Sequence, residues 1–314
     1  MSKKKRYRVR NWKEYNRSLV NRGRITLWFD EKSIANWYEN KRSKTKKRGR
    51  PRTYTDIAVQ CLLLIKVVFS LRLRSLQGFA ESLVDLLKLS IIIPNYTTIS
   101  RRQKTLKVIL ERYKKGESLH VVIDSTGLKV FGEGEWKVRQ HGYSKRRTWR
   151  KLHLGVDEAS GEIVAAVLST NDVGDSEVLP NLLQQIKDPF HQVSADGAYD
   201  SFNCHDAITE RGADPVIPPR DNARIAQHGN SNDPPLSRDE ILRSIRDKGL
   251  KAWKQDSNYH RRSLAETAMY RFKQLFGKTL DARTFENQCT EAFIKCNAMN
   301  RVTSLGMPKS HAIP

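Results

Sequence analysis

His120-Val121-Val122-Ile123-Asp124-Ser125-Thr126 and Gln192-Val193-Ser194-Ala195-Asp196-Gly197 are two short, largely apolar runs that each end at an aspartate. Runs of this length and composition read as buried strands, so each aspartate closes a strand. A third acid, Glu266, lies in the stretch 259–276, whose spacing predicts a helix. Two strand ends and one helix can bring three carboxylates to a common point.

The surrounding elements agree with that arrangement. Residues 151–156 and 162–168 flank the turn Asp157-Glu158-Ala159-Ser160-Gly161 and read as a hairpin. A helix is expected over 175–186, another over 201–211, and a short strand over 215–217. The order strand, hairpin, helix, strand, helix, strand specifies an α/β domain with a mixed sheet flanked by helices. Upstream, Thr55 is an N-cap, and Ile57, Ala58, Cys61, Leu62, Ile65 and Phe69 recur at helical spacing. A second helix starts near Ser75 and a third carries Ile99, Leu106 and Leu110, which together make an N-terminal all-α helix-turn-helix domain. The boundaries are a basic arm over 1–54, a helical DNA-binding domain over 55–115 and a catalytic domain over 116–314. Within the last, 218–257 is rich in Pro, Asn, Asp, Arg and Ser and reads as a loop insertion with one helix over 238–247.

Charge narrows the partner. Lys and Arg number 57 against 34 Asp and Glu, a net of +23. Residues 1–52 alone carry 19 Lys/Arg and 4 Asp/Glu, so a basic arm faces a polyanion, and double-stranded DNA is the expected one. The cysteines Cys61, Cys204, Cys289 and Cys296 have no metal-finger spacing and read as free thiols in a reducing compartment. The longest apolar stretch, 57–71, is too short to span a bilayer, and no signal segment is evident; a cytoplasmic, nucleoid-associated protein without membrane contact is expected.

Phosphodiester chemistry suits this set of acids. Substrate and nucleophile are both negative, and two divalent cations about 4 Å apart relieve the repulsion. Mg²⁺ needs only a few carboxylates because it keeps several waters. At about 100° per residue, Tyr259, Arg262, Glu266 and Lys273 fall within an arc of roughly 60° on one helix face, with Leu264, Ala268 and Leu275 opposite. The plainer reading of that stripe is an i to i+4 ion pair between Arg262 and Glu266 on a solvated face.

The spacing Tyr259-x2-Arg262-x3-Glu266-x6-Lys273 resembles the Tyr-(2)-Arg-(3)-Glu-(6)-Lys motif of DDE transposases from bacterial insertion sequences, most closely the insertion-sequence-five family. Ser194-Ala195-Asp196-Gly197-Ala198-Tyr199-Asp200 is similar to the stretch around that family's second aspartate, and Val122-Ile123-Asp124-Ser125-Thr126 to the first. Trp136-Lys137, His141-Gly142, Lys145-Arg146-Arg147 and Trp149-Arg150-Lys151-Leu152-His153 resemble its basic, tryptophan-containing block. The resemblance covers about 48–277. It implies a ribonuclease H-like domain, Mg²⁺ or Mn²⁺ as two ions per site, and action on the element's terminal inverted repeats and on target DNA. Asp124, Asp196 and Glu266 are then metal ligands, Arg262 and Lys273 phosphate contacts, and Tyr259 a DNA contact. Some relatives place a long β-rich domain between the second and third acids, whereas only 70 positions separate them here.

Further DNA contacts are expected from Arg101 and Arg102 on the third helix and from Arg147, Trp149, Arg150 and Lys151 in the basic block. The rival readings are a solvated helix face and a charged hairpin edge. The expected activity is metal-dependent strand cleavage and strand transfer by a homo-dimer or larger assembly on DNA. The alternatives are a catalytically silent DNA-binding regulator descended from such an enzyme, and a structure-specific nuclease of the same fold.

Overall fold

The computed structural model describes residues 6–39, 52–114, 118–130, 149–227 and 233–313. They fall into two units, one from Met1–Tyr113 and Phe293–Pro314, the other from Lys114–Ala292.

The first unit begins with strand β1, Arg6–Val9, followed by helices α1, Trp12–Arg22, α2, Ile25–Trp28, and α3, Glu31–Ala35. The sequence reading took this stretch as a basic arm; it folds because aromatic anchors lie among its charges. Trp28, Phe29 and Trp37 are buried. The Trp28 indole N–H donates to the Arg22 carbonyl at 2.8 Å and that of Trp37 to Ile92 at 3.0 Å. Helix α4, Asp56–Val68, is capped by Thr55, whose hydroxyl accepts from the Ala58 amide at 3.1 Å, a contact worth about 1 kcal/mol. Ala58, Val59, Leu62, Leu63 and Ile65 bury it on several sides. Helices α5, Leu73–Leu86, and α6, Tyr96–Gln103, follow. The last stops short of Leu106 and Leu110 because the backbone beyond it has another partner. Asn297 accepts from the Glu111 amide and donates to the Ile109 carbonyl, both at 2.8 Å.

The second unit holds β2, Leu119–Val130, β3, Trp149–Asp157, β4, Ile163–Thr170, α7, Asp175–Gln185, β5, Phe190–Ser194, α8, Phe202–Thr209, and β6, Asp214–Val216. The sheet order is β4-β3-β2-β5-β6. Strands β3 and β4 run antiparallel to their neighbours, while β5 and β6 run parallel. This is the mixed sheet that the element order implied, in the α/β class expected of a ribonuclease H-like domain. Helices α9, Ser237–Lys248, α10, Leu250–Asp256, and α11, Ser263–Phe276, precede β7, Thr279–Leu280, which extends β2 at its far end. Helix α12, Phe285–Ser304, begins in this unit and ends in the first, where β8, Ser310–Ile313, pairs antiparallel with β1. A small ribbon thus accompanies helices that were expected to stand alone.

Side chains alternate along β2, so its two faces differ. Val121 and Ile123, with Val193 and Ala195, join the apolar cluster that includes Leu179, Leu182 and Leu183 of α7 and Ile208 of α8. The opposite face carries His120, Val122 and Asp124, and α11 packs against β2 and β3. Its buried residues Ala265, Ala268, Met269 and Phe272 follow the i, i+3, i+4, i+7 rule. Among the described residues no helix is long and apolar enough to cross a membrane.

Candidate active site

Parallel register relates the two aspartates. Val122 of β2 is paired with Ser194 of β5. Asp124 and Asp196 each lie two residues further on, so the two-residue period returns both to the face that Val122 and Ser194 share. That face is already polar: His120 Nε2 and Ser194 Oγ are 2.8 Å apart, and the Gln192 amide donates to the Ser257 carbonyl at 3.0 Å. Asp124 accepts from the Ser125 amide at 2.8 Å. Asp196 caps the 3-10 turn Gly197–Tyr199 by accepting from Ala198 at 3.0 Å.

Glu266 arrives from α11, and Arg262 links it to the sheet. One guanidinium nitrogen stands 2.5 Å from Glu266 and another 3.6 Å from Asp124. The stretch 259–276 is not one continuous α-helix: Tyr259–Arg262 is a 3-10 turn after a left-handed Asn258, and the α-helix starts at Ser263. A 3-10 turn winds at three residues per turn, so Tyr259 does not share the helical phase of Glu266. Its ring is instead clasped by Trp253 at 5.9 Å, Lys254 at 5.3 Å and Arg262 at 5.8 Å. Trp253 is buried, which suits an anchor and not a free stacking surface.

The electrostatics report crowding. Burial pushes the Asp124 carboxyl up, the Ser125 amide and Arg262 pull it down, and the charges of Asp196 and Glu266 push it up again. Burial also raises the Tyr259 hydroxyl. For Arg262 burial works downward, yet Tyr259, Asp124 and Glu266 outweigh it and hold the guanidinium above its ordinary value. Among the described residues no group of three or more His, Cys, Asp or Glu side chains is arranged to hold an ion. The donors nevertheless fit a hard divalent cation by chemistry: they are carboxylates, they repel one another, and a guanidinium now supplies the positive charge between two of them.

Residues that sequence reasoning passed over hold the Asp196 turn. Asp200, with a fully buried side chain, receives Arg238 Nε at 2.7 Å, Arg238 Nη2 at 2.9 Å and the Arg220 amide at 2.9 Å. Burial pushes this carboxyl up, but His205 at 3.5 Å and hydrogen bonds from Arg238 and the Arg220 amide prevail and keep it well below the carboxylate range. The Arg220 side chain donates to the carbonyls of Gly197 at 3.1 Å and Ala198 at 3.0 Å. Both arginines come from the segment read as a loop insertion. The signal in the sequence was Asp200 itself, four positions after Asp196.

The remaining expected contacts are spread out. Lys273 is partly buried, and burial followed by the nearby Lys278 lowers its ammonium. Lys151 belongs to the opposite sheet face, where its ammonium meets Asp175 at 3.0 Å and the Val173 carbonyl at 2.9 Å. Arg150 donates to Gln288 at 2.8 Å and lies 5.4 Å from the Phe285 ring. Trp149 receives Lys129 at 5.6 Å. Arg147 lies outside the described residues. In the first unit Arg101 is exposed, whereas Arg102 is tied to Asp56 and to the Tyr54 carbonyl.

Comparison with known proteins places this sequence in a family. A family described as "Transposase DDE domain" matches residues 115–301, and a second family of the same description matches 20–133. An uncharacterized protein of Aquifex aeolicus (strain VF5) is 26% identical over 201 residues, 58% of this chain and 60% of that protein. The chain therefore spans about 60% of that relative's length. A solved piggyBac transposase synaptic complex with hairpin DNA is similar over 92% of this chain and 75% of that one, at 12% identity and a TM-score of 0.41. The family match extends over more than half of the sequence and includes Asp124, Asp196 and Glu266: the chain belongs to the DDE transposases.

Proposed function

We propose that this protein cuts DNA at the terminal inverted repeats of the element that encodes it and joins the freed 3′-hydroxyl to target DNA, using Mg²⁺ or Mn²⁺. The observation that carries the reading is the meeting of Asp124 and Glu266 on one guanidinium, with Asp196 two residues past Ser194, the ladder partner of Val122. The Tyr-Arg-Glu-Lys spacing draws it toward the insertion-sequence-five group.

Asp124, Asp196 and Glu266 would hold two divalent cations, which when bound activate the attacking oxygen and stabilise the leaving one. The protein's own part is positioning and charge. Strand β2 holds Asp124 in the sheet, Asp196 follows directly from β5, and α11, anchored by its buried stripe, carries Glu266. Arg262 would turn from the acids to the scissile phosphate, and Lys273, two helical turns beyond Glu266, would meet a neighbouring phosphate. Arg101 would contact the element end. Two ends must be handled together, so at least a dimer assembles on DNA.

The test is end cleavage with Asp124→Asn, Asp196→Asn and Glu266→Gln. Each should lose activity by on the order of a thousand-fold while end binding persists. Retained cleavage in all three would overturn the reading, and absence of cleavage in the parent as well would favour a DNA-binding regulator.

A further inference from the structure

A surface far from the acids in sequence has the composition of a nucleic-acid site. Tyr7, Arg8, Val9, Arg10 and Trp12 line a groove of about 690 Å³ together with His311. The groove sits on the β1–β8 ribbon, where Arg8 is directly opposite His311. Tyr7 is 65% exposed and Trp12 59%, an unusual placement for two large rings that line one groove.

The ribbon is held in place. Two strands alone are marginal in water. Here the Arg10 amide donates to the Lys309 carbonyl at 2.8 Å, and Asn11 bridges to the C-terminal segment. Its amide donates to the Met307 carbonyl at 3.0 Å, while its side-chain oxygen accepts from the Lys309 amide at 2.7 Å. The rings and guanidiniums are therefore presented on a fixed backbone, which lowers the ordering cost of binding.

Charge identifies the occupant. The first thirteen residues contain seven Lys or Arg and no Asp or Glu. Arg8 and Arg10 have no carboxylate partner among the described residues. Exposed aromatics beside guanidiniums that meet no carboxylate among the described residues suit a strand whose bases have a free π-face and whose phosphates follow at short intervals. A closed duplex offers phosphates but keeps its bases stacked.

We propose that this groove binds single-stranded DNA, with Tyr7 and Trp12 stacking on bases and Arg8 and Arg10 pairing with phosphates. The inference rests on DNA being the partner of this chain. It adds a surface for unpaired DNA whose lining includes none of the three acids and no residue of α6.

The experiment is fluorescence anisotropy of the full chain with a labelled oligothymidine of roughly 16 nucleotides and with a blunt duplex of the same length. Tyr7→Leu and Trp12→Leu keep apolar bulk and remove the rings' π character. Each should weaken oligothymidine binding roughly ten-fold and leave duplex binding nearly unchanged. Arg8→Ala and Arg10→Ala should each flatten the salt dependence of single-strand binding. Matching thermal unfolding curves exclude loss of fold. Parent-like single-strand binding by both ring variants overturns the proposal while leaving the transposase reading intact. Equal losses on both probes overturn it too, since the groove would then be a general DNA surface. A parent chain that binds neither probe sinks this inference and the DNA reading together.

Discussion

The guanidinium of Arg262, at the foot of α11, stands 3.6 Å from the carboxylate of Asp124 on β2. Because the same group also holds Glu266, one cation neutralises two acids contributed by different elements. Arg262→Ala should therefore destabilise the metal-free protein by about 1–3 kcal/mol, since two carboxylates lose their counter-charge. Millimolar Mg²⁺ should raise the melting temperature of the variant more than that of the parent. Equal shifts in the two proteins, measured with and without EDTA, would show that an ion does not substitute for the guanidinium.

The buried pair Asp200 and Arg238 should behave differently. Arg238→Ala leaves a fully buried carboxylate without its two-pronged partner and should cost about 3–5 kcal/mol in urea unfolding. Arg220→Ala removes only side-chain donors to Gly197 and Ala198, because its backbone amide still reaches Asp200. It should cost less stability but raise the Mg²⁺ concentration needed for half-maximal cleavage. An unchanged Mg²⁺ midpoint would mean that the clamp does not position Asp196.

The two arginines of α6 should separate binding from folding. Arg101 is exposed, so Arg101→Ala should weaken DNA binding and leave the melting temperature unchanged. Arg102 is paired with Asp56 and donates to Tyr54 at 2.8 Å, so Arg102→Ala should lower the melting temperature by several degrees. The reverse pattern in paired calorimetry and binding curves would refute this division.

Acid should weaken the second unit through two histidines. Burial pulls His120 and His153 down to about 4; His153 is held between Tyr199 Oη at 3.2 Å and Ser169 Oγ at 3.0 Å. A lowered folded-state value means the unfolded chain takes the proton first as pH falls. Stability is then present above pH 6.5 and lost progressively between about 6.5 and 4, by up to about 3 kcal/mol for each group. Replacing both with Asn should flatten the fall in melting temperature over that window. A slope unchanged by the double substitution would assign the acid sensitivity elsewhere.

The sheet was legible because its strands announce themselves by apolar runs ending in polar turns. The β3–β4 hairpin and the helices between β4 and β6 follow the same punctuation. Helices α1 to α3 were hidden because charged residues dominate their composition and the aromatic anchors are few. Helix α12 was passed over entirely, although Ala292, Ile294, Cys296, Ala298, Met299 and Val302 bury it. Strand β2 runs on to Val130 through Ser125, Thr126 and Gly127, residues that look like a turn; β3 pairs with them residue by residue and keeps them extended. At the candidate site, spacing singled out Glu266 and Arg262, which the structure pairs, but not the break in helical phase before Ser263, which depends on a left-handed Asn258. Nor could spacing tell Arg101 from Arg102, because the difference lies in Asp56, a partner distant in sequence.

The pairing of Val122 with Ser194 means that alignment of two strands, as much as the identity of any acid, sets where Asp196 points. One residue added between Val193 and Asp196 would rotate that carboxylate toward the apolar layer under α7 and α8 without replacing any of the three acids. Copies of this gene that carry such a lesion would keep all three acids and lose their convergence.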